Sequence, residues 1–281
     1  MPEKELMHMW RTEFDTTPAE RNMTAYRNGK AVKLTSEAID REMETYPRSR
    51  SVIALNSLTQ EGLEHFVSHY GSTYRAIRLS REGGVKDLSP LGDLPELEHV
   101  ALHAQRCERL WDMSRNGKLR VLVIDSCRKL TAQPCMLETA PALETVWYLG
   151  GAESTHPMAS LQGFANLPAI REIRLEDVRL LDRSLEFLAS IPTLEVFDFE
   201  PQMFTTEEIA WMKARYPDLG GEFLRAYGPA YPGSDSWVRV SGSRKPELRL
   251  PEDQEKLEQY VRSFDTLVRK YQDEMERTNA T

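Results

Sequence analysis

A six-residue pattern recurs along the middle of the chain and limits the possible folds more than any other feature. Each copy has apolar residues at its first, fourth and sixth positions, and successive copies begin 23, 22, 24, 27 and 24 residues apart. The copies are YRAIRL from Tyr74, LEHVAL from Leu97, LRVLVI from Leu119, LETVWY from Leu143, IREIRL from Ile170 and LEVFDF from Leu194. A pattern with this period indicates one structural unit that is used repeatedly, each unit burying its apolar face against the next.

The segment VKDLSPLGDLPEL, residues 85–97, has a different spacing. Its apolar residues come at every third position, at Val85, Leu88, Leu91, Leu94 and Leu97. A step of three fits neither the alternation of a strand nor the 3.6-residue period of a long helix. The segment between two copies of the six-residue pattern is therefore expected to be neither.

The two patterns together resemble the leucine-rich-repeat proteins. The segment LRVLVIDSCRKL matches the consensus of that family, with Cys127 where the family has Asn or Cys, and VKDLSPLGDLPEL looks like the second half of an internalin-type repeat. The resemblance covers residues 50–225 and implies an α/β fold, a leucine-rich-repeat solenoid. Its strands would be short, parallel and on the concave face, and its returns would be a mixture of α-helices and 3₁₀ turns. It implies no particular activity, since one scaffold can host many functions. Independently of the resemblance, Thr59 is expected to cap one helical return, and a capping box from Thr205 to Glu208 is expected to begin another.

The rest of the chain predicts elements that cover the two ends of the repeats. Residues 1–48 are interpreted as an N-terminal extension and cap, with a hairpin turn at Asn28 and Gly29 and a helix that directs Ile39 and Met43 inward. Residues 49–226 form the repeat domain. Residues 227–281 are interpreted as a C-terminal loop, two short strands and an amphipathic helix; the helix has a seam spaced 4, 3, 4, 3, 4 at Leu257, Val261, Phe264, Val268, Tyr271 and Met275.

Composition narrows the class of protein and the compartment. The net charge is −8, which disfavours non-specific binding of nucleic acid. Three cysteines without a CxxC pair predict neither a disulfide framework nor a zinc site and favour a reducing cytoplasm. The first 22 residues carry charges throughout, and no apolar run reaches about eighteen residues, so neither a secretory signal nor a membrane span is expected.

Side chains alternate along a strand, so the register of the copies predicts which residues point away from the core. One expected zone is apolar, with an exposed tryptophan as anchor, and the next zone is acidic around a single arginine. The candidate partner-binding residues are Trp147, Val123, Leu149, Val121, His99, His103, Glu172, Arg174, Glu176, Asp198 and Glu200. A large aromatic beside aliphatic residues is typical of an interface anchor, and flanking acids would steer a basic partner.

Catalytic and metal-binding patterns were weighed against this interpretation. The chain has no GxSxG, HExxH or phosphate-binding glycine loop. His65 and His69 have the spacing of two metal ligands on a helix, but they are interpreted as part of a solvated helix face. Cys127 is expected to be buried and inert. No cofactor, no metal site and no enzymatic activity are therefore predicted.

The sequence thus predicts a cytoplasmic, bacterial, non-catalytic module that docks a basic or amphipathic protein on its concave face. An immunity or inhibitor protein is one specific version. Neither nucleic acid nor membrane is expected as a partner, and a monomer is favoured over a homodimer. Two alternatives stay open: a structural protein that self-associates through the C-terminal helix, and an enzyme of unknown class.

Overall fold

The computed structural model describes residues 21–27, 30–45, 51–80, 84–103, 106–127, 130, 136–150, 156–231 and 234–279. Its described chain divides into two compact units, one ending at Leu194 and one beginning at Glu195. The hairpin turn predicted at Asn28 and Gly29 lies outside the described residues.

The first unit is built around a parallel sheet. In chain order its elements are β1 Arg21–Met23, β2 Tyr26–Arg27, β3 Lys30–Ala31, α1 Ser36–Thr45, β4 Val52–Asn56, α2 Gln60–His69, β5 Ala76–Ser80, β6 His99–His103, β7 Val121–Asp125, β8 Thr145–Leu149, β9 His156–Met158, β10 Glu172–Glu176 and β11 Val178–Leu180. Seven of these strands lie side by side in chain order, as β1-β4-β5-β6-β7-β8-β10, and every neighbouring pair is parallel. Five of the six strands expected from the six-residue pattern, β5, β6, β7, β8 and β10, are thus present and adjacent in this unit.

Strand β7 shows why the pattern gives strands of this length. Leu122 and Ile124 are 0% and 1% exposed, so the alternate side chains of the strand enter the core. The strand ends where Ser126 adopts a left-handed conformation with a φ of 54°, which turns the chain out of the sheet. The alternation fixes one buried face, and the turn limits the strand to five residues.

The segments between strands differ from one another. Residues Ser89–Asp93 form a 3₁₀ helix, and the five apolar residues spaced by three around it are between 0% and 2% exposed. Helix α2 instead has Thr59 as its N-cap residue, whose hydroxyl accepts a hydrogen bond from the Gly62 N–H. The helix buries Leu63, Phe66 and Val67. The predicted 3₁₀ turn and the predicted helix cap are both confirmed.

The predicted fold class, a leucine-rich-repeat solenoid over residues 49–226, is wrong. The first unit is an α/β arrangement with a seven-stranded, all-parallel central sheet, and the second unit carries a small antiparallel sheet. The connections are not copies of one another: one is a ten-residue α-helix, several are short 3₁₀ helices, and the connections after β8 and β10 contain the additional pair β9 and β11. The apolar pattern requires only that each strand bury one face, and it does not require equivalent connections.

The second unit contains β12 Val196–Phe199, α3 Thr206–Arg215, β13 Tyr227–Pro229, β14 Trp237–Val240, β15 Glu247–Arg249 and α4 Gln254–Asn279. Helix α3 starts with a capping box in which the side chains of Thr205 and Glu208 each bond the other's backbone N–H, as the sequence predicts. Strands β13, β14 and β15 form an antiparallel sheet. One face of that sheet packs on α4, through Val238, Val240, Leu248 and Leu257.

The apolar seam of α4 is used within the second unit along its first half. Leu257 and Phe264 are 3% and 4% exposed, and α4 packs against α3. The later seam residues Val268, Tyr271 and Met275 are half-buried. The first half of the seam, whose apolar side chains are the most deeply buried, therefore stabilises the unit.

A buried asparagine connects the 3₁₀ return to the segment that follows it. Asn116 is 0% exposed, and its Nδ2 donates to the carbonyl oxygens of Leu91 and Leu94, both at 2.9 Å. Its Oδ1 accepts from the Trp111 indole N–H at 2.8 Å. Every polar atom of this side chain has a partner, which is the condition under which a buried amide stabilises a fold.

The substitution Asn116→Asp tests this network. The carboxylate cannot donate to two buried carbonyls, so we expect the free energy of unfolding to fall by roughly 2–4 kcal/mol. Urea denaturation followed by circular dichroism measures the loss. Lys118→Ala is the matched control, because Lys118 lies two residues away and pairs with Glu96 on the surface; it should leave stability nearly unchanged. Equal effects of the two substitutions would contradict the assignment.

Candidate functional site

The register of the parallel sheet arranges the predicted binding residues of the first unit in three rows on one face. The start row contains His99, Val121, Thr145 and Glu172; the middle row contains Arg78, Ala101, Val123, Trp147 and Arg174; the edge row contains His103, Asp125, Leu149 and Glu176. Residues of one row are direct neighbours across adjacent strands. We call this surface the Trp147 face. It brings together nine of the eleven predicted residues.

The tryptophan at its centre is not an exposed anchor. Trp147 is 2% exposed, Val123 is 3% exposed and Arg174 is 8% exposed. The indole N–H of Trp147 donates to the Glu172 carboxylate at 2.8 Å. The prediction of a solvent-facing Trp147 is therefore wrong, because strand alternation gives the face that a side chain points to but not what covers that face.

The arginine of the middle row is neutralised by the edge row. The Arg174 Nε donates to Glu176 Oε1 at 2.7 Å, and the same oxygen accepts from Nη2. The Arg174 side chain is 9% exposed and that of Glu176 is 34% exposed. A charge buried to this extent is stable only when it is paired. Glu172 and Glu176, predicted to attract a partner, are each already bonded within the face.

A histidine and an aspartate form a second fixed pair in the edge row. The imidazole Nδ1 of His103 lies 2.7 Å from Asp125 Oδ2, and the Ser126 hydroxyl donates to Asp125 Oδ1 at 2.7 Å. Burial raises the pKa of Asp125, but the hydrogen bonds from His103 and Ser126, together with the charges of His103 and Arg78, outweigh it and hold this pKa below its ordinary value. Asp125 is therefore held as a carboxylate.

Asp125 is not among the binding residues predicted from the sequence. Its position directly beside His103 was available from the register, since the two residues are equivalent positions of neighbouring copies. Complementary side chains at equivalent positions are the signal that could have identified the pair, because direct neighbours across two strands are within contact distance.

The carboxyl edge of the sheet has an unusual backbone. Ser57, Ser126 and Asp177 each follow an edge position and have φ values of 55°, 54° and 50°. Residues other than glycine adopt this conformation at an energetic cost. After β8 the equivalent residue is Gly150, where an added Cβ would lie 2.2 Å from the Asp177 carbonyl oxygen. The chain thus turns sharply at the same edge after several strands.

The two remaining predicted residues belong to the second unit. Asp198 is 7% exposed, and its carboxylate accepts the Glu222 N–H at 2.6 Å. Glu200 is half-buried, and its backbone carbonyl accepts the Met203 N–H. The Asp198 carboxylate therefore bonds a backbone group 24 residues along the chain, and the prediction that it presents its charge to a partner is wrong.

The residues weighed for metal binding or catalysis have structural partners. The His65 Nε2 lies 2.7 Å from Asp40 Oδ1, and the same oxygen accepts a hydrogen bond from the Tyr70 hydroxyl at 2.6 Å. These two contacts join α1 to α2. The pKa of Asp40 is lowered by these bonds, that from Tyr70 first. Among the described residues there is no group of three or more His, Cys, Asp or Glu side chains that could hold a metal ion. Cys127 is 1% exposed, and its thiol faces the Leu102 carbonyl at 3.6 Å.

No family model matches this chain, and no curated protein is similar to it. The resemblance to leucine-rich-repeat proteins gains no support from these comparisons. In the part of the chain that the structure describes, none of the helices has the length and apolar character needed to cross a bilayer.

Replacing Trp147 by Phe tests the bond between the indole and Glu172. Phe fills most of the same volume but removes the donor to a partly buried carboxylate, so we expect the free energy of unfolding to fall by roughly 1–3 kcal/mol. The control is Trp237→Phe, at an indole that is 39% exposed. Urea denaturation measures both variants, and a similar loss in both would argue against a specific role of the Glu172 bond.

Asp125→Asn tests the depressed pKa through its effect on pH dependence. A carboxyl group with a lowered pKa stabilises the folded state above its unfolded pKa of about 3.9, and this stabilisation disappears as the pH falls through the lower folded value. We therefore expect the variant to be less stable than the wild type near neutral pH, by roughly 1–3 kcal/mol. The difference should shrink steadily in acid. Urea denaturation across the acidic range measures it, and a difference independent of pH would refute the assignment.

Proposed function

We propose that the protein is a non-catalytic, cytoplasmic protein-binding module whose Trp147 face docks a basic or amphipathic partner. The observation that supports this is the arrangement of exposed groups. Val121 in the start row and Leu149 in the edge row are both half-exposed aliphatic residues on a regular sheet, and the polar side chains around them are already fixed.

Fixed polar groups matter for affinity. A side chain that must be ordered on binding costs about 0.5–1.5 kcal/mol, and the pairs Arg174–Glu176 and His103–Asp125 are ordered within the chain beforehand. A partner would therefore meet a preformed surface with aliphatic anchors between defined hydrogen-bonding groups. Apolar residues with polar groups around them are the arrangement of many protein interfaces.

Charge favours a basic partner through the protein as a whole. On the Trp147 face itself, Arg174 neutralises Glu176, and the acids therefore contribute shape and hydrogen bonds more than a strong local field. The chain as a whole carries a net charge of −8, which attracts a basic protein at long range and raises its association rate. An inhibitor that covers a basic enzyme is a specific form of this function.

The geometry of the edge row supports a binding role over a catalytic one. Nucleophilic catalysis requires a base that is bonded to the nucleophile on one side and to an orienting group on the other. The Ser126 hydroxyl donates instead to Asp125, the group that also contacts His103. These three side chains are therefore a structural cluster, without the order that a catalytic triad needs.

The experiment compares two variants that each remove a leucine side chain. Leu149→Ser lies in the edge row, whereas Leu181→Ser changes a leucine that is 64% exposed elsewhere in the same unit. We expect Leu149→Ser to weaken capture of a protein partner from host lysate by roughly tenfold, corresponding to about 1.4 kcal/mol, and Leu181→Ser to leave it unchanged. Trp147→Ala is unsuitable, since the loss of a buried tryptophan costs roughly 3–5 kcal/mol of stability.

Circular dichroism spectra and melting temperatures would establish that both variants are folded. Raising the salt concentration should weaken capture of a basic partner by the wild type. Equal capture by the two variants, or capture that does not respond to salt, would refute docking of a basic partner on this face.

A further inference from the structure

A second surface with the composition of a binding site lies on the C-terminal sheet, in the unit that begins at Glu195. Its register pairs Trp237 with Arg249 and Arg239 with Glu247 on the face opposite the apolar cluster that packs on α4. We call this the outer face of the C-terminal sheet. Antiparallel sheets commonly have one face on the core and one in solvent, so exposure of this face as such is ordinary.

Its side chains are not the usual ones for a solvated face. Large apolar side chains are exposed at few places in the described chain, and two of them, Tyr231 at 53% and Trp237 at 39%, belong to this part of the second unit. Arg249 stands directly opposite Trp237, and its side chain is 59% exposed. Tyrosine, tryptophan and arginine are the residue types most enriched in the energetic centres of interfaces.

The network beneath this surface fixes its shape. The Glu247 carboxylate accepts the Tyr231 hydroxyl at 2.9 Å on one oxygen, and on the other it accepts the Arg239 Nε at 3.1 Å. The hydrogen bond to Glu247 raises the pKa of Tyr231, so this hydroxyl remains a donor. The ring of Tyr231 and the guanidinium of Arg239 are therefore held in place before any partner arrives.

The local charge is opposite to that of the whole protein. By register, the outer face of the C-terminal sheet carries two arginines, Arg239 and Arg249, and one acid, Glu247, a net charge of +1 in a chain of −8. Glu247 already neutralises Arg239. Arg249 has only a long contact of 3.6 Å with the exposed Glu252, and such surface pairs contribute little. Arg249 can therefore exchange this contact for a carboxylate of a partner at low cost.

We propose that this outer face, with Tyr231, Trp237, Arg239 and Arg249, binds an acidic peptide segment of a partner protein. The aromatic rings pack against the apolar parts of the segment, and the guanidinium of Arg249 forms a charge-assisted pair with one of its carboxylates. A nucleic acid is disfavoured because it requires many neutralised phosphates, and this face offers two arginines, one of which is already paired with Glu247. This surface shares no residue with the Trp147 face, and its proposed partner is acidic, whereas the partner proposed for the Trp147 face is basic.

The test measures binding of fluorescein-labelled octaglutamate to the full-length protein by fluorescence anisotropy at low salt. We expect saturable binding by the wild type that weakens as salt is added. Trp237→Ala and Arg249→Glu should each reduce the affinity by roughly tenfold or more. The matched controls are Tyr26→Ala, at a tyrosine that is 64% exposed in the first unit, and Arg115→Glu, at an arginine whose side chain is 72% exposed.

Three outcomes would overturn the proposal. The first is the absence of saturable octaglutamate binding by the wild type. The second is an equal loss of affinity in the controls, which would indicate a non-specific charge effect. The third is tighter binding of labelled oligothymidylate than of octaglutamate, which would indicate a nucleic-acid surface instead. Unchanged melting temperatures of the variants would separate loss of the surface from loss of the fold. Because Leu149 is not altered in any of these variants, the result does not depend on the proposed function of the Trp147 face.

Discussion

The in-register alignment of the parallel strands determines where each polar side chain of the first unit lies. Equivalent positions of β6, β7, β8 and β10 are direct neighbours. The side chain at one position therefore lies beside the side chain at the same position of the adjacent strand. His103 meets Asp125 in this way. A shift of one residue in any strand would move its apolar residues to the opposite face, and burial of those residues therefore protects the register and with it the polar pairs.

This dependence explains why the Trp147 face is buried at its centre and half-exposed along its edges. The middle row carries the largest side chains of the face, and their polar atoms reach carboxylates of the two flanking rows: Trp147 reaches Glu172, and Arg174 reaches Glu176. The flanking carboxylates are thus both structural and accessible. A face of this kind can present polar groups to a partner in fixed positions, since the folded state already bears the cost of ordering them.

The second unit likewise combines burial of one sheet face with hydrogen-bonded polar groups on the other. Helix α4 covers one face of a small antiparallel sheet, which leaves the other face in water with Trp237 and Tyr231 on it. Exposure of these aromatic rings to water contributes no stability. The Tyr231 hydroxyl and the Arg239 guanidinium, in contrast, are held by hydrogen bonds to Glu247. The two proposed binding surfaces would allow one chain to contact two different proteins, one basic and one acidic.

Local sequence patterns are sufficient to place the individual elements. The spacing of apolar residues placed the strands, the step of three placed the 3₁₀ return at Ser89–Asp93, and side-chain caps at Thr59 and Thr205 placed the starts of two helices. These features depend on residues close in the chain, which is why they could be predicted. The fold class could not be predicted in this way, because equal spacing of strands does not make the connections between them equivalent.

The accessibility and the pairing of the predicted residues depend on the assembled fold. Strand alternation predicts that Trp147, Arg174 and Asp198 point away from the core. All three are nevertheless buried and hydrogen-bonded. Burial depends on every chain segment that approaches a side chain, and those segments can be distant in sequence. The local pattern thus predicts the position of each side chain along its strand, whereas the exposure of the side chain and its bonding partners are properties of the assembled fold.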